Sequence, residues 1–235
     1  MESVKILAAA RGVVAVAKPA GLATQAPPGV PSVEAWARRE LADSGGSGYL
    51  GVPHRLDRAV SGVLLLAVTP RAARKLSRQF ERREVTKTYL AVVAAASTAD
   101  AVPRAAMEWR DTLAKVPDEP RAAIVAEANG GREAVTLARA VKRLELAGGP
   151  AIVMELQPLT GRMHQLRLQA AARGMPIVGD QLYGGPAWPA GGEAEADPRL
   201  APILLHAWKI AYADPDSGGP VEITADLPAH WPPLI

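Results

Sequence analysis

Apolar positions divide the chain into short runs of β character and a few stretches of helical spacing. Residues 13–17 form a β-branched run that stops at Lys18-Pro19-Ala20-Gly21, a turn signal that places Lys18 at a strand end. The apolar residues before it, interrupted by Glu2 and Arg11, read as buried strand, and the first strand is expected to start near residue 13. Ser32 has the position of an N-cap, because Val33, Trp36, Ala37 and Leu41 follow it at helical spacing. Ser44-Gly45-Gly46-Ser47-Gly48 then predicts a flexible loop, and residues 62–68 are a continuous apolar run of a buried strand.

Residues 71–83 alternate in a way that only a helix explains. Arg71, Arg74, Lys75, Arg78 and Arg82 share one face, while Ala73, Leu76 and Phe80 lie opposite. Taken alone, such a basic stripe is most often a solvated surface. Further β-like runs cover residues 88–93, 134–141, 151–156, 203–212 and 221–224, several in succession without an intervening helix. That order argues for an α+β fold with a mixed, mainly antiparallel sheet flanked by helices and loops, rather than alternating βαβ units. Residues 160–173 read as one helix, with Thr160 as N-cap and Gly174 at its end; residues 184–202 read as a surface loop.

The length of 235 residues fits one globular unit, and 49% hydrophobic with 22% charged residues is ordinary for a folded protein. Only 4% of the residues are aromatic, so the core must rest on Val, Leu, Ile and Ala. A formal charge of +3 suits a polyanionic partner without requiring one. The absence of cysteine excludes disulfides, thiol nucleophiles and thiolate metal sites, and makes the cytoplasm the expected compartment. No apolar stretch approaches the roughly 18 residues of a membrane span, so no membrane partner is expected.

Asp57 is the most unusual acid in the chain. It lies between Leu56 and the apolar 62–68 run, flanked by Arg55 and Arg58, where a carboxylate needs cations or donors to stay charged. An ion pair or a turn cap would account for it equally well. Tyr89, in Lys87-Thr88-Tyr89, is otherwise a core tyrosine. Arg162, His164 and Arg167 are expected on one helix. The four histidines, at positions 54, 164, 206 and 230, have no ligand spacing, and no metal site is expected. His54 and His164 read as structural hydrogen-bonding groups rather than acid/base catalysts.

Three segments resemble, in order, the motifs of the RluA-type RNA pseudouridine synthases. His54-Arg55-Leu56-Asp57-Arg58-Ala59-Val60-Ser61-Gly62 is similar to the motif that carries the catalytic aspartate. Lys87-Thr88-Tyr89-Leu90-Ala91-Val92-Val93 resembles the motif that supplies the active-site tyrosine. Leu159-Thr160-Gly161-Arg162-Met163-His164-Gln165-Leu166-Arg167, continued by Gly174-Met175-Pro176-Ile177-Val178-Gly179-Asp180, resembles the one whose arginine pairs with the aspartate. Weaker similarity runs from Ala17-Lys18-Pro19-Ala20-Gly21-Leu22 to Leu205-His206-Ala207. Ala59-Val60, Met163 and Gln169 depart from the usual polar pair, threonine and histidine, and bear on substrate contacts more than on catalysis.

The resemblance implies a single catalytic domain over residues 1–235, without a separate N-terminal RNA-binding domain, that isomerises uridine in ribosomal or transfer RNA without a cofactor. Asp57, Tyr89 and Arg167 would be the catalytic set, with Arg167 orienting Asp57 through a planar fork that lysine could not replace. Asp57 would attack C1′ or remove the C2′ proton; the sequence leaves both routes open. Arg55 would fill the space left by the extruded base, Arg162 and His164 would contact substrate, and Lys18 with the 71–82 stripe would meet phosphates. RNA is the expected partner, not DNA, and a monomer is the default. A non-catalytic RNA-binding protein and a glycosidic-bond hydrolase are the rivals; the second would call for another carboxylate.

Overall fold

Ten strands and three α-helices form the regular structure of the described residues of a computed structural model, namely 3–10, 12–41, 48–95, 105–188 and 201–233. The architecture is α+β, as the succession of strands predicts. The chain divides into two compact units, Met1–Lys87 with His206–Ala229, and Thr88–Leu205 with His230–Ile235. No helix among the described residues is long and apolar enough to cross a membrane.

In the first unit β1 (Lys5–Ala10) pairs antiparallel with β2 (Val13–Lys18), and β2 with β3 (Ser61–Ala67). Strand β3 pairs parallel with β9 (Leu205–Ala213), and β10 (Pro220–Thr224) pairs antiparallel with β9. The N-terminal segment is thus two strands rather than one, and the first begins at Lys5, not near residue 13. Its side chains alternate in and out of solvent too weakly to be read as a buried run. Every residue of β3 is buried, which explains its unbroken apolar sequence. Gly62 has φ +122°, and a Cβ there would lie 2.3 Å from the Ala207 carbonyl oxygen, so only glycine permits the close approach of β3 to β9.

Helix α1 (Val33–Glu40) starts at Ser32, whose hydroxyl accepts from the Ala35 amide. Helix α2 (Pro70–Glu81) starts at Thr69, with proline at the first helical position, where its missing N–H costs nothing. Ala72, Ala73 and Leu76 of α2 join Val13, Ala15, Val63, Leu65, Ile210 and Tyr212 in one core cluster. Burying Leu76 alone contributes about 2 kcal/mol.

The second unit is an antiparallel sheet in the order β4-β8-β7-β5-β6, from β4 (Thr86–Ala94), β5 (Met107–Lys115), β6 (Ala122–Ile124), β7 (Arg132–Leu146) and β8 (Gly149–Pro158). Strands β5 and β6 were not anticipated; β5 buries only Trp109 and Leu113 and carries charge outward at Glu108 and Arg110. Helix α3 spans Gln165–Ala172, shorter than the 160–173 helix expected. The Ser44-to-Ser47 part of the expected glycine-rich loop and residues 189–200 of the expected 184–202 loop lie outside the described residues.

Candidate active site

Asp57 sits half-buried in an irregular segment that is held at many points. The Val60 amide donates to the Asp57 carbonyl at 3.1 Å and the Gly21 amide to the Arg58 carbonyl at 2.8 Å. Thr24 clasps the neighbouring residue from both sides: its hydroxyl donates to the Leu56 carbonyl at 2.9 Å and accepts from the Leu56 amide at 3.1 Å. Ala59 and Val60, the apolar pair that departs from the family pattern, are both buried. They anchor the segment in the core instead of facing a substrate.

Lys18 departs from expectation. Its side chain is 1% exposed, and its ammonium donates to the carbonyls of Pro19, Leu22 and Arg58 at 2.9, 2.7 and 3.1 Å. Saturated by three carbonyls, it is placed to tie the Pro19-to-Leu22 turn to the Asp57 segment, not to meet a phosphate. Burial pushes its pKa down to about 7, against the pull of the Asp57 charge, while Arg58 acts with burial.

His54 accepts a hydrogen bond at Nε2 from the Leu65 amide, 2.9 Å away, and its ring stacks on Phe80 with centroids 4.5 Å apart. An amide can only donate, so Nε2 carries no proton and the ring is neutral. Burial, helped by the nearby Lys87 charge, lowers its pKa to about 3. Arg55 is exposed beside it.

Tyr89, Arg162, His164 and Arg167 belong to the second unit, and α3 organises three of them. Tyr89 lies on β4 opposite Leu156 of β8. The segment before α3 is a polar knot rather than a helical turn. Thr160 donates to the Gln165 side-chain carbonyl at 2.7 Å and accepts from the Val135 amide, and the Arg162 amide also donates to Gln165. Arg162 and His164 therefore precede the helix. The Arg162 Nε donates to the Glu133 carbonyl at 2.9 Å. His164 occupies a left-handed conformation, φ 51°, and its Nδ1 lies 2.9 Å from the Tyr183 hydroxyl.

Arg167 forms a bidentate pair with Asp180, Nε to Oδ2 at 2.6 Å and Nη2 to Oδ1 at 2.7 Å, with both side chains buried. Its guanidinium also lies over the Tyr183 ring, 5.2 Å from the centroid. Neither Asp180 nor Tyr183 is assigned a role from the sequence; the one available signal was that Asp180 closes the third motif. Gln169 is fully buried, accepts from Thr136 at 2.6 Å, and donates to Asp111 at 2.8 Å with two further carbonyls within reach. It locks α3 to the sheet, so this departure from the family pattern does not touch substrate.

Residues 12–172 match the family model described as RNA pseudouridylate synthase. The chain is 31% identical over 229 residues to an uncharacterized RNA pseudouridine synthase of Synechocystis, covering 93% of this chain and 64% of that protein, so it spans just under two thirds of that relative's length. It is 35% identical over 179 residues to the dual-specificity RNA pseudouridine synthase RluA of Escherichia coli, covering 76% of this chain and 73% of the relative. Among solved structures, human RNA pseudouridylate synthase domain containing 1 superposes with a TM-score of 0.74 at 25% identity, over 97% of this chain and 84% of the other. With the motif order, the α+β fold and the family match in agreement, the chain belongs to the RluA-type RNA pseudouridine synthase family.

Proposed function

We propose that this protein is an isomerase that converts specific uridines of ribosomal or transfer RNA into pseudouridine without a cofactor. The observation that carries the reading is the fixed Asp57 segment: a half-buried carboxylate in the family's aspartate motif, held by Lys18 and Thr24 with no regular element to support it. In the reaction the C1′–N1 bond breaks, uracil turns in place, C1′ joins C5, and the C5 proton is released as N1 gains one. Atoms and electrons balance with no redox partner. A carboxylate serves either route, attack on C1′ or removal of the C2′ proton, while it stabilises positive charge on the sugar.

By resemblance Tyr89 lies against the flipped base and handles the C5 proton, Arg167 orients Asp57, and Arg55 replaces the base in the stack, with Arg162 and His164 as substrate contacts. The bidentate grip of Asp180 supports a positioning role for Arg167, because a guanidinium fixed through two bonds offers its remaining edge in one direction. The reading takes residues 1–235 as one catalytic domain that works as a cytoplasmic monomer on RNA and not on DNA.

The test is tritium release from ribosomal and transfer RNA that lacks pseudouridine and carries 5-³H-uridine. The wild-type chain releases tritium, and Asp57→Ala, with an unchanged circular dichroism spectrum, does not. Release of free uracil would identify a hydrolase instead, and RNA binding without release from either pool would favour the non-catalytic reading.

A further inference from the structure

The basic stripe of α2 is resolved by the structure into two functionally different rows. Arg71 and Lys75 are engaged by the β9–β10 turn: Arg71 pairs with Asp216 at 3.2 Å, and the Lys75 ammonium donates to the Pro215 carbonyl at 2.5 Å. The side chains of Arg74 and Arg78 are exposed and have no hydrogen-bond or ion-pair partner among the described residues. Arg82 reaches Glu84 only at 3.9 Å, with both side chains more than half exposed.

Such an arrangement disfavours the helix itself. Arginines at i and i+4 repel, by about 0.2–0.5 kcal/mol per pair, and the first turn of α2 contains no acid to offset them. Residues 70–87 hold seven basic and two acidic residues, a density that contrasts with the net +3 of the whole chain. The row also leads somewhere. Phe80, on the buried side of α2, stacks on His54, which brings the helix's C-terminal end to the residue that precedes exposed Arg55 and lies three positions before Asp57. Lys87 lies close enough to His54 for its charge to favour the neutral ring, and Arg83 lies close enough to act on Lys87, which burial already pushes toward its neutral form.

We propose that Arg74 and Arg78, continued through exposed Arg82 and Arg83 toward Arg55, form a cationic track that takes the RNA phosphate backbone on one flank of the target nucleotide. The inference rests on the reading that the substrate is RNA. Guanidinium groups repeated every four residues, about 6 Å along the helix axis, present a line of forked donors to a chain of phosphates. Contacts of this kind set register and affinity and read no sequence. The track enters the site through Arg55, so a strand lying along it delivers its next nucleotide to Asp57.

The experiment measures equilibrium binding of a fluorescein-labelled, unmodified tRNA transcript by polarisation between about 50 and 200 mM salt, the range in which counterion release dominates. The double variant Arg74→Glu/Arg78→Glu is compared with Lys5→Glu/Arg39→Glu, which makes the same change in net charge on other elements of the first unit. The track variant, with wild-type thermal stability, is expected to bind about tenfold more weakly and to lose about 1.4–1.8 from the slope of log K against log salt, two phosphate contacts' worth. Equal weakening in both variants, or an unchanged slope, would overturn the track and leave a solvated helix face. Because the readout is binding, the two readings fail separately: loss of binding without any tritium release would sink the enzyme assignment alone, and turnover with unaltered binding would sink the track alone.

Discussion

At the scale of single residues, the second unit concentrates its buried charge in one pair. Arg167 and Asp180 are both almost fully enclosed, so neither charge can fall back on water if its partner is removed. Asp180→Asn keeps the shape but breaks the ion pair, and urea unfolding should show a loss of about 3–5 kcal/mol. A loss under about 1 kcal/mol would mean that Arg167 has another partner sufficient to hold it. The sequence made Arg167 legible through its motif, whereas Asp180 stood in the same motif unassigned. Pairing between residues 13 positions apart depends on how α3 and the following turns are packed, which no local pattern encodes. Lys18 shows the converse: as a lysine at a strand end it reads as a surface cation, and only the fold reveals three carbonyls converging on it.

At the scale of elements, the junction of β3 and β9 is the most demanding. Both strands are buried there, Ser61 bonds the His206 Nδ1 at 2.8 Å, and Gly62 lies against the Ala207 backbone. Gly62→Val would drive a branched side chain into that backbone from a positive φ, and it should prevent the soluble chain from showing a cooperative thermal transition. A variant that melts within a few degrees of wild type would show that the strands can part without cost. Strand β3 was readable because burial on both faces leaves an almost unbroken apolar run. Strand β5 was not, since its charged outward positions and only two buried side chains imitate a loop. The start of α3 was misplaced because Thr160 has the form of an N-cap, yet its hydroxyl serves Val135 and Gln165.

For the whole molecule, burial lowers the pKa of both His54 and Lys18 in the first unit, and these two shifts act on stability with the same sign. His54 has its pKa lowered from 6.5 to about 3, so the unfolded chain binds a proton that the folded chain refuses across that window. Its contribution is complete above pH 6.5 and is lost as the pH falls toward 3. Lys18, lowered from 10.5 to about 7, likewise adds stability as the pH rises from 7 toward 10.5. Urea unfolding at a series of pH values should show a rising limb between about pH 3 and 6.5 that is shallower in His54→Gln, whose amide accepts from Leu65 without titrating. An acid limb of equal steepness in both proteins would assign it to carboxylates instead. The double clasp between Thr24 and Leu56, 32 positions apart, has a consequence of another kind. It closes a loop whose ends are pinned chemically, and the entropy of closing a flexible loop grows only with the logarithm of its length, about 0.6 kcal/mol for each doubling. The excursion that contains α1 is therefore free to lengthen or shorten among related chains, at little thermodynamic cost, while the carboxylate of Asp57 stays where it is.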